Sequence, residues 1–277
     1  MWRFFLIASI SLLSLRANSQ TIEQTYNLAN ELYQKKEFKA AVDVYRRVIH
    51  FDKDEQYRNL CYSKIAESLF QVKEYEEATG YFDLAYFQET NDSTKTEILF
   101  RKASCYMLTQ NYEYAQIEML SLSDSITKSL EDKKTFYWAT LNFALGNYKD
   151  SEFAFVSVLD DNEKKEKIKS LFLKNEKVSR ISPKKARILS MILPGLGQFY
   201  AGDIKNGLNS MLLTGGLFYL GIRTGMNNGF LDAVFSVFPW IQRYYMGGYA
   251  KAETIAQNQK QKKRVAVYNE ILDVVEK

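Results

Sequence analysis

Few side chains in this sequence could carry out covalent or metal chemistry. Among 277 residues there is one histidine, His50, and two cysteines, Cys61 and Cys105. Tetrahedral zinc is held mainly by His and Cys, so these three fall short of a site unless carboxylates stand in for the missing ligands. A catalytic histidine needs a nucleophile and an orienting group in reach, and no candidate is spaced that way around His50. The GxSxG, HExxH and P-loop signatures are missing as well. The two thiols read as small apolar packing residues, with a disulfide open to them only in an oxidising compartment. Asp232 lies within an apolar stretch, where an ionisable group often serves a function, but Asn227 and Asn228 nearby suggest a solvated interface instead. This inventory predicts no enzyme, no metal and no cofactor.

One further stretch could bind a ligand. Residues 190–207, SMILPGLGQFYAGDIKNG, hold a proline and four glycines in an apolar run. A phosphate-cradling loop takes the form GxxxxGK[ST] or, after a strand, GxGxxG; Gly195-x-Gly197-x4-Gly202 has neither. Pro194 instead ends a helix begun near Pro183, and the glycines permit a tight turn before the next helix at Lys205. The turn residues are Pro194, Gly195, Gly197, Gln198, Tyr200 and Gly202, with Gln198, Tyr200 and Asp203 placed to satisfy freed backbone groups.

The elements that position these residues follow from charge and periodicity. Residues 21–162 carry 16 Lys/Arg against 24 Asp/Glu, a net of −8, whereas residues 163–187 carry 10 against 3, a net of +7. An acidic body followed by a basic collar and an apolar region suits a lipid surface and not nucleic acid, whose phosphates the body would repel. The N-terminus has Arg3, an apolar core over residues 4–15 and the small residues Ala17 and Ser19, the layout of a signal peptide spanning 1–19. Its cleavage predicts an exported body in the cell envelope.

Residues 20–160 repeat. ANELYQKKEFKAAVDVY, AESLFQVKEYEEATGYF, ASCYMLTQNYEYAQIEM and ATLNFALGNYKDSEFAF align without gaps from Ala29, Ala66, Ala103 and Ala139, a period of 37, 37 and 36 residues. Twelve positions on stand Ala41, Ala78, Ala115 and Ser151; sixteen on stand Tyr45, Phe82, Met119 and Phe155. Small residues on two successive helices let their axes approach, and the later bulky residue fills the space between pairs. The pattern resembles the tetratricopeptide repeat, with a period somewhat longer than the usual length of about 34 residues. The resemblance implies a helical solenoid whose first helices line a groove for an unidentified protein or peptide. By position that groove holds Asn30, Tyr33, Lys64, Phe70, Phe100, Arg101, Met107, Phe136 and Phe143. Only Asn30 and Arg101 match the family's carboxylate clamp; Tyr26, Lys64 and Glu97 depart from it.

Residues 161–182 read as a basic amphipathic linker helix, with Ile168, Leu171, Phe172 and Val178 on one face, capping the last repeat or touching lipid. Three apolar segments follow, 186–201, 207–222 and 230–249. The motif PGLGQFYAGD resembles a signature of small bacterial membrane domains of the two-transmembrane-helix type. That resemblance implies a membrane helical hairpin over 183–250 in the lipid bilayer, and no catalytic residues. The tail, 251–277, carries Val265, Tyr268, Ile271, Leu272 and Val275 on one stripe, which docks on its own chain or on a second copy as a homo-oligomer. The expected fold is thus all-α: a solenoid, a membrane hairpin and a C-terminal helix. The expected function is that of a membrane-anchored adaptor. The alternative is a membrane transport or assembly component in which the hairpin acts and the repeats recruit it.

Overall fold

The computed structural model describes residues 21–123 and 127–276; the expected signal peptide lies outside the described residues. All regular structure among the described residues is helical, and the chain divides into two compact units between Ala154 and Phe155.

The first unit is a succession of helix pairs: α1 (Ile22–Gln34) with α2 (Phe38–Phe51), α3 (Arg58–Gln71) with α4 (Tyr75–Gln88), α5 (Asp92–Leu108) with α6 (Tyr112–Leu120), and α7 (Lys128–Leu145) with α8 (Tyr148–Ser157), which runs across the division. The register read from the sequence is the register of the core. Ala29, Ala66, Ala103 and Ala139, with Ala41, Ala78, Ala115 and Ser151, are all fully buried, and Tyr45, Phe82, Met119 and Phe155 are buried beside them. Alanine contributes no bulk at the crossing, so the two helices of a pair can meet backbone to backbone. Where Ser151 replaces alanine, its hydroxyl donates to the Ala139 carbonyl at 2.7 Å, which keeps the buried oxygen satisfied.

The turns within the pairs repeat as faithfully as the core. Lys36, Lys73 and Gln110 adopt left-handed φ angles of 61°, 66° and 62°, and Gly146 takes 87° at the fourth equivalent position. At each turn the next residue's N–H reaches back across the helix end: Glu37 to Leu32, Glu74 to Leu69 and Asn147 to Asn142 at 2.9 Å, and Asn111 to Tyr106 at 2.8 Å. This pattern caps the carbonyls that a helix end leaves free. Three of the four positions hold a residue with a Cβ despite the local cost of that conformation, so packing of the pair holds the turn. A buried cation adds a tie between pairs: Lys102 on α5 meets Asp83 of α4 at 2.5 Å and Glu118 of α6 at 2.8 Å. Burial opposes its charge, but the two carboxylates outweigh burial and hold its pKa above the ordinary lysine value.

The second unit contains α9 (Asn162–Ser179), α10 (Pro183–Ile192), α11 (Leu196–Tyr200), α12 (Ile204–Asn228), α13 (Phe230–Ser236) and α14 (Phe238–Glu276). The basic segment and the tail are parts of this unit. The face of α9 that buries Ile168, Leu171, Phe172 and Val178 packs on α14, and Lys174 pairs with Glu270 at 2.6 Å. The tail is the second half of α14, continuous with the end of the third apolar segment. Its buried stripe is Val267, Ile271 and Val274, while Val265 is exposed.

The expected membrane hairpin is corrected here: no helix among the described residues is long and apolar enough to cross a membrane. A span needs about 20 consecutive apolar residues. α12 has 25 residues, but Lys205, Asn206, Asn209 and Ser210 open it, and Arg223, Asn227 and Asn228 close it. α10 stops at Ile192 and α13 is seven residues long. α14 is longer than a span, yet carries Arg243, Lys251 and Glu253. Apolar side chains do lie exposed on this unit, among them Leu212, Ile222, Met226, Phe230, Leu231 and Phe235.

The glycine motif forms a tight connection through α11. Ser182 caps α10 by accepting from Lys185 N at 3.2 Å, with Pro183 at the first helical position. Gly195 then turns with φ of 95°, and a Cβ there would overlap the Gly207 carbonyl. A Cβ at Gly197 would overlap the Ala186 carbonyl, so α11 lies directly against α10. Replacing Gly197 by alanine forces backbone apart and should cost about 3 kcal/mol or more. Gly202→Ala meets open space and only the penalty of its φ of 84°, about 1–2 kcal/mol. Thermal melts of the full chain, followed by circular dichroism, should show a far larger shift for Gly197→Ala; equal shifts would contradict the close packing.

Candidate functional site

Four parallel positions on α1, α3, α5 and α7 form the face on which the sequence placed a groove. The structure brings most of these residues together in contacts that run from one pair to the next. Tyr33 donates its hydroxyl to Glu67 at 2.8 Å, and the Lys64 ammonium sits 4.5 Å from the centre of the Tyr33 ring while pairing with Glu67 at 3.2 Å. One period on, the Arg101 guanidinium lies 5.7 Å from the centre of the Phe70 ring. At the next step Lys133 lies 4.7 Å from the centre of the Phe100 ring and pairs with Glu97. Here Tyr137 takes the register position of Lys64 and Arg101; its hydroxyl shares a 2.8 Å hydrogen bond with Ser104. A cation over each aromatic ring contributes about 0.5–1 kcal/mol at an exposed site and fixes where the charge stands.

The remaining predicted residues divide by exposure. Asn30 is half-buried and accepts from the Tyr45 hydroxyl at 2.7 Å, so it orients a core tyrosine. Met107 and Phe136 are half-buried on the face. Phe100 and Phe143 correct the expectation: Phe100 is fully buried, 4.8 Å from the Tyr137 ring, and Phe143 is 6% exposed beside Tyr148. Both fill space between helices and present no surface to a partner. Glu67, Ser104 and Lys133 were missed as members of the face. Two of them were within reach of the repeat, since Asn30, Glu67 and Ser104 stand one period apart.

Arg101 is exposed and pairs with no carboxylate among the described residues, whereas Lys64 and Lys133 are each neutralised by a glutamate. The face therefore offers one uncompensated cation at its middle, flanked by aromatic edges. Burial, reinforced by the hydrogen bond to Glu67, pushes the Tyr33 hydroxyl up to about 12. Burial also pushes the Cys61 and Cys105 thiols up to about 12, leaving them protonated and poor nucleophiles. Among the described residues no group of three His, Cys, Asp or Glu side chains could hold a metal ion.

In the second unit the turn residues are structural partners of one another. Gln198, 1% exposed, accepts from the Ser190 hydroxyl at 2.8 Å and donates to the Gly248 carbonyl at 2.9 Å. Ser190 in turn accepts from Gly197 N at 2.9 Å. The Tyr200 hydroxyl accepts from Ser182 N at 3.1 Å. Asp203 caps α12, accepting from Asn206 N at 3.0 Å, and this hydrogen bond holds its carboxyl below the ordinary aspartate value. Pro194 precedes Gly195, and Gly202 supplies the second left-handed residue.

The thiol and tyrosine shifts set a pH dependence. All three groups hold their protons more tightly when folded, so their contribution is complete below about pH 9 and is lost as pH rises toward about 12. Denaturant melts of the full chain should weaken steadily above pH 9, and Cys61→Ala with Cys105→Ala should flatten that slope. A first-unit transition independent of pH between 9 and 11 would contradict the burial of these groups. Compared with protein-family models, with curated proteins and with solved structures, the chain shows no match.

Proposed function

We propose that the chain is a non-enzymatic adaptor of the tetratricopeptide kind, whose first unit holds an extended or helical segment of a protein partner along α1, α3, α5 and α7. The observation that carries this reading is the ladder of cations on aromatic rings, Lys64 on Tyr33 and Arg101 on Phe70, repeated at one period. A face that repeats its chemistry at two successive helix pairs suits an extended ligand with side chains at that interval. The exposed, unpaired Arg101 selects an acidic group at the centre of that segment, and the aromatic edges select apolar side chains around it.

The second unit is assigned to holding the adaptor at a lipid surface without a span, on the strength of its exposed Met226, Phe230 and Phe235. Co-sedimentation of the full chain with phosphatidylcholine vesicles checks that assignment, and a chain left in the supernatant contradicts it.

The groove is tested with an array of peptides carrying one acidic residue between apolar ones, titrated onto the full chain. Arg101→Glu should lower the affinity of bound peptides by about tenfold or more, since it replaces a charge-assisted contact by repulsion. Its melting temperature should stay close to that of the parent, because Arg101 is exposed. Failure of every peptide to bind, or binding unchanged in Arg101→Glu, would overturn the assignment.

A further inference from the structure

A second, chemically different concavity lies within the second unit. It is a cleft of about 410 Å³ between α12 and α14, lined also by Gln198 of α11. Its walls hold two cations, Arg243 and Lys251, and no carboxylate. Neither cation forms an ion pair among the described residues. Asp203, which feels the charge of Lys251, lies outside the lining, and its two oxygens accept from the backbone and side-chain amides of Asn206.

Arg243, Gly247 and Lys251 are spaced four residues apart and so share one face of α14, with the Cα atoms of the two basic residues about 12 Å apart along the axis, within reach of a shared anion for side chains of this length. Between them Gly247 leaves a notch. A Cβ at Gly247 would meet nothing within 4 Å, so packing does not require a glycine there. Gly in a helix interior is destabilising relative to alanine. Its neighbour Gly248 has a packing reason, since a Cβ there would stand 3.0 Å from the Ser210 hydroxyl. That hydroxyl is itself buried and has no hydrogen-bond partner among the described residues. Ser210 and the amide of Asn209 line the opposite wall on α12.

We infer that this cleft binds a phosphate group, seated over Gly247 between the Arg243 guanidinium and the Lys251 ammonium, with Ser210 donating a further hydrogen bond. Guanidinium binds phosphate through two parallel N–H contacts, the ammonium adds a point charge, and the missing side chain at Gly247 lets the anion come close to the helix. Orthophosphate and the phosphate of an anionic phospholipid headgroup share this chemistry. The inference rests on the cleft alone and does not depend on how the first unit binds a partner.

Two titrations of the full chain separate the sources. One uses orthophosphate, read by calorimetry. The other uses vesicles, read as the gain in affinity when phosphatidylglycerol is added to phosphatidylcholine. Saturable binding in the first arm assigns a free anion, and a gain in the second arm alone assigns a headgroup. In either case Arg243→Gln should weaken binding by about tenfold or more, the fold-change expected from losing a charge-assisted hydrogen bond. Gly247→Leu keeps every charge and fills the notch, and it should weaken binding as much. Arg223→Gln removes the same charge from α12 outside the cleft and should leave binding within about twofold of the parent. The inference is overturned if neither probe binds, if Gly247→Leu binds like the parent, or if Arg223→Gln weakens binding as much as Arg243→Gln does.

Discussion

Close approach of the two helices in each pair is the constraint on which the first unit depends. It is made by small residues at two register positions, and every one of them is fully buried. Because the axes meet there, the chain has room for only a short turn, and the turn is held in one conformation four times over. Because the turn is fixed, the first helix of each pair presents the same face at each step. Tyr33 and Phe70 then lie where a cation from the next pair can cover them. The placement of these cations on aromatic rings is thus a consequence of the small residues buried at the helix crossings. Stability in such an array is a sum of units and their interfaces, so a local error in one pair is felt by its neighbours and not by the whole chain.

The second unit solves the same packing problem with glycine. Gly197 brings α11 against α10, while Ala186, Ala252 and Ala256 form a small buried cluster around Tyr200 and Ile181. Polar groups freed by the tight connection are satisfied internally, by Ser190, Gln198 and Asp203. Around this connection the buried residues are small or polar; large apolar residues are buried instead between α9 and the far end of α14, and others lie exposed on α12 and α13. The cleft beside Gly247 has cations and donors on its walls.

The sequence was most informative where a physical requirement recurs. Small residues twelve apart, and a bulky residue sixteen after the first of them, recur at nearly constant period, and the structure buries all of them. The exposed face was less legible, because position within a helix does not say how far the next pair covers it: Phe70 remains half-buried while Phe100 is sealed by Tyr137 and Lys133. Apolar content misled more seriously in 183–250. Runs rich in Phe, Leu and Gly suggested spans, but helix boundaries are set by Pro194, Gly202 and Gly229, and charges fall within α12 and α14. The amphipathic basic segment was recognised, although its partner, the far end of α14, lies about ninety residues away in sequence and carries no local signal. Gln198 donates to the Gly248 carbonyl, an acceptor 50 residues away that carries no local signal in the sequence.

The claim that small residues set the helix approach is tested most directly by equilibrium unfolding of Ala78→Leu beside Glu76→Gln in the full chain. Ala78 is fully buried at the crossing of α3 and α4, while Glu76 is exposed on the same helix. Leucine at position 78 must push the pair apart and should cost the first-unit transition about 1–3 kcal/mol. Glu76→Gln should change it by less than about 0.5 kcal/mol. A leucine at position 78 tolerated as well as the glutamine at 76 would contradict the close helix approach on which the turns and the ladder depend.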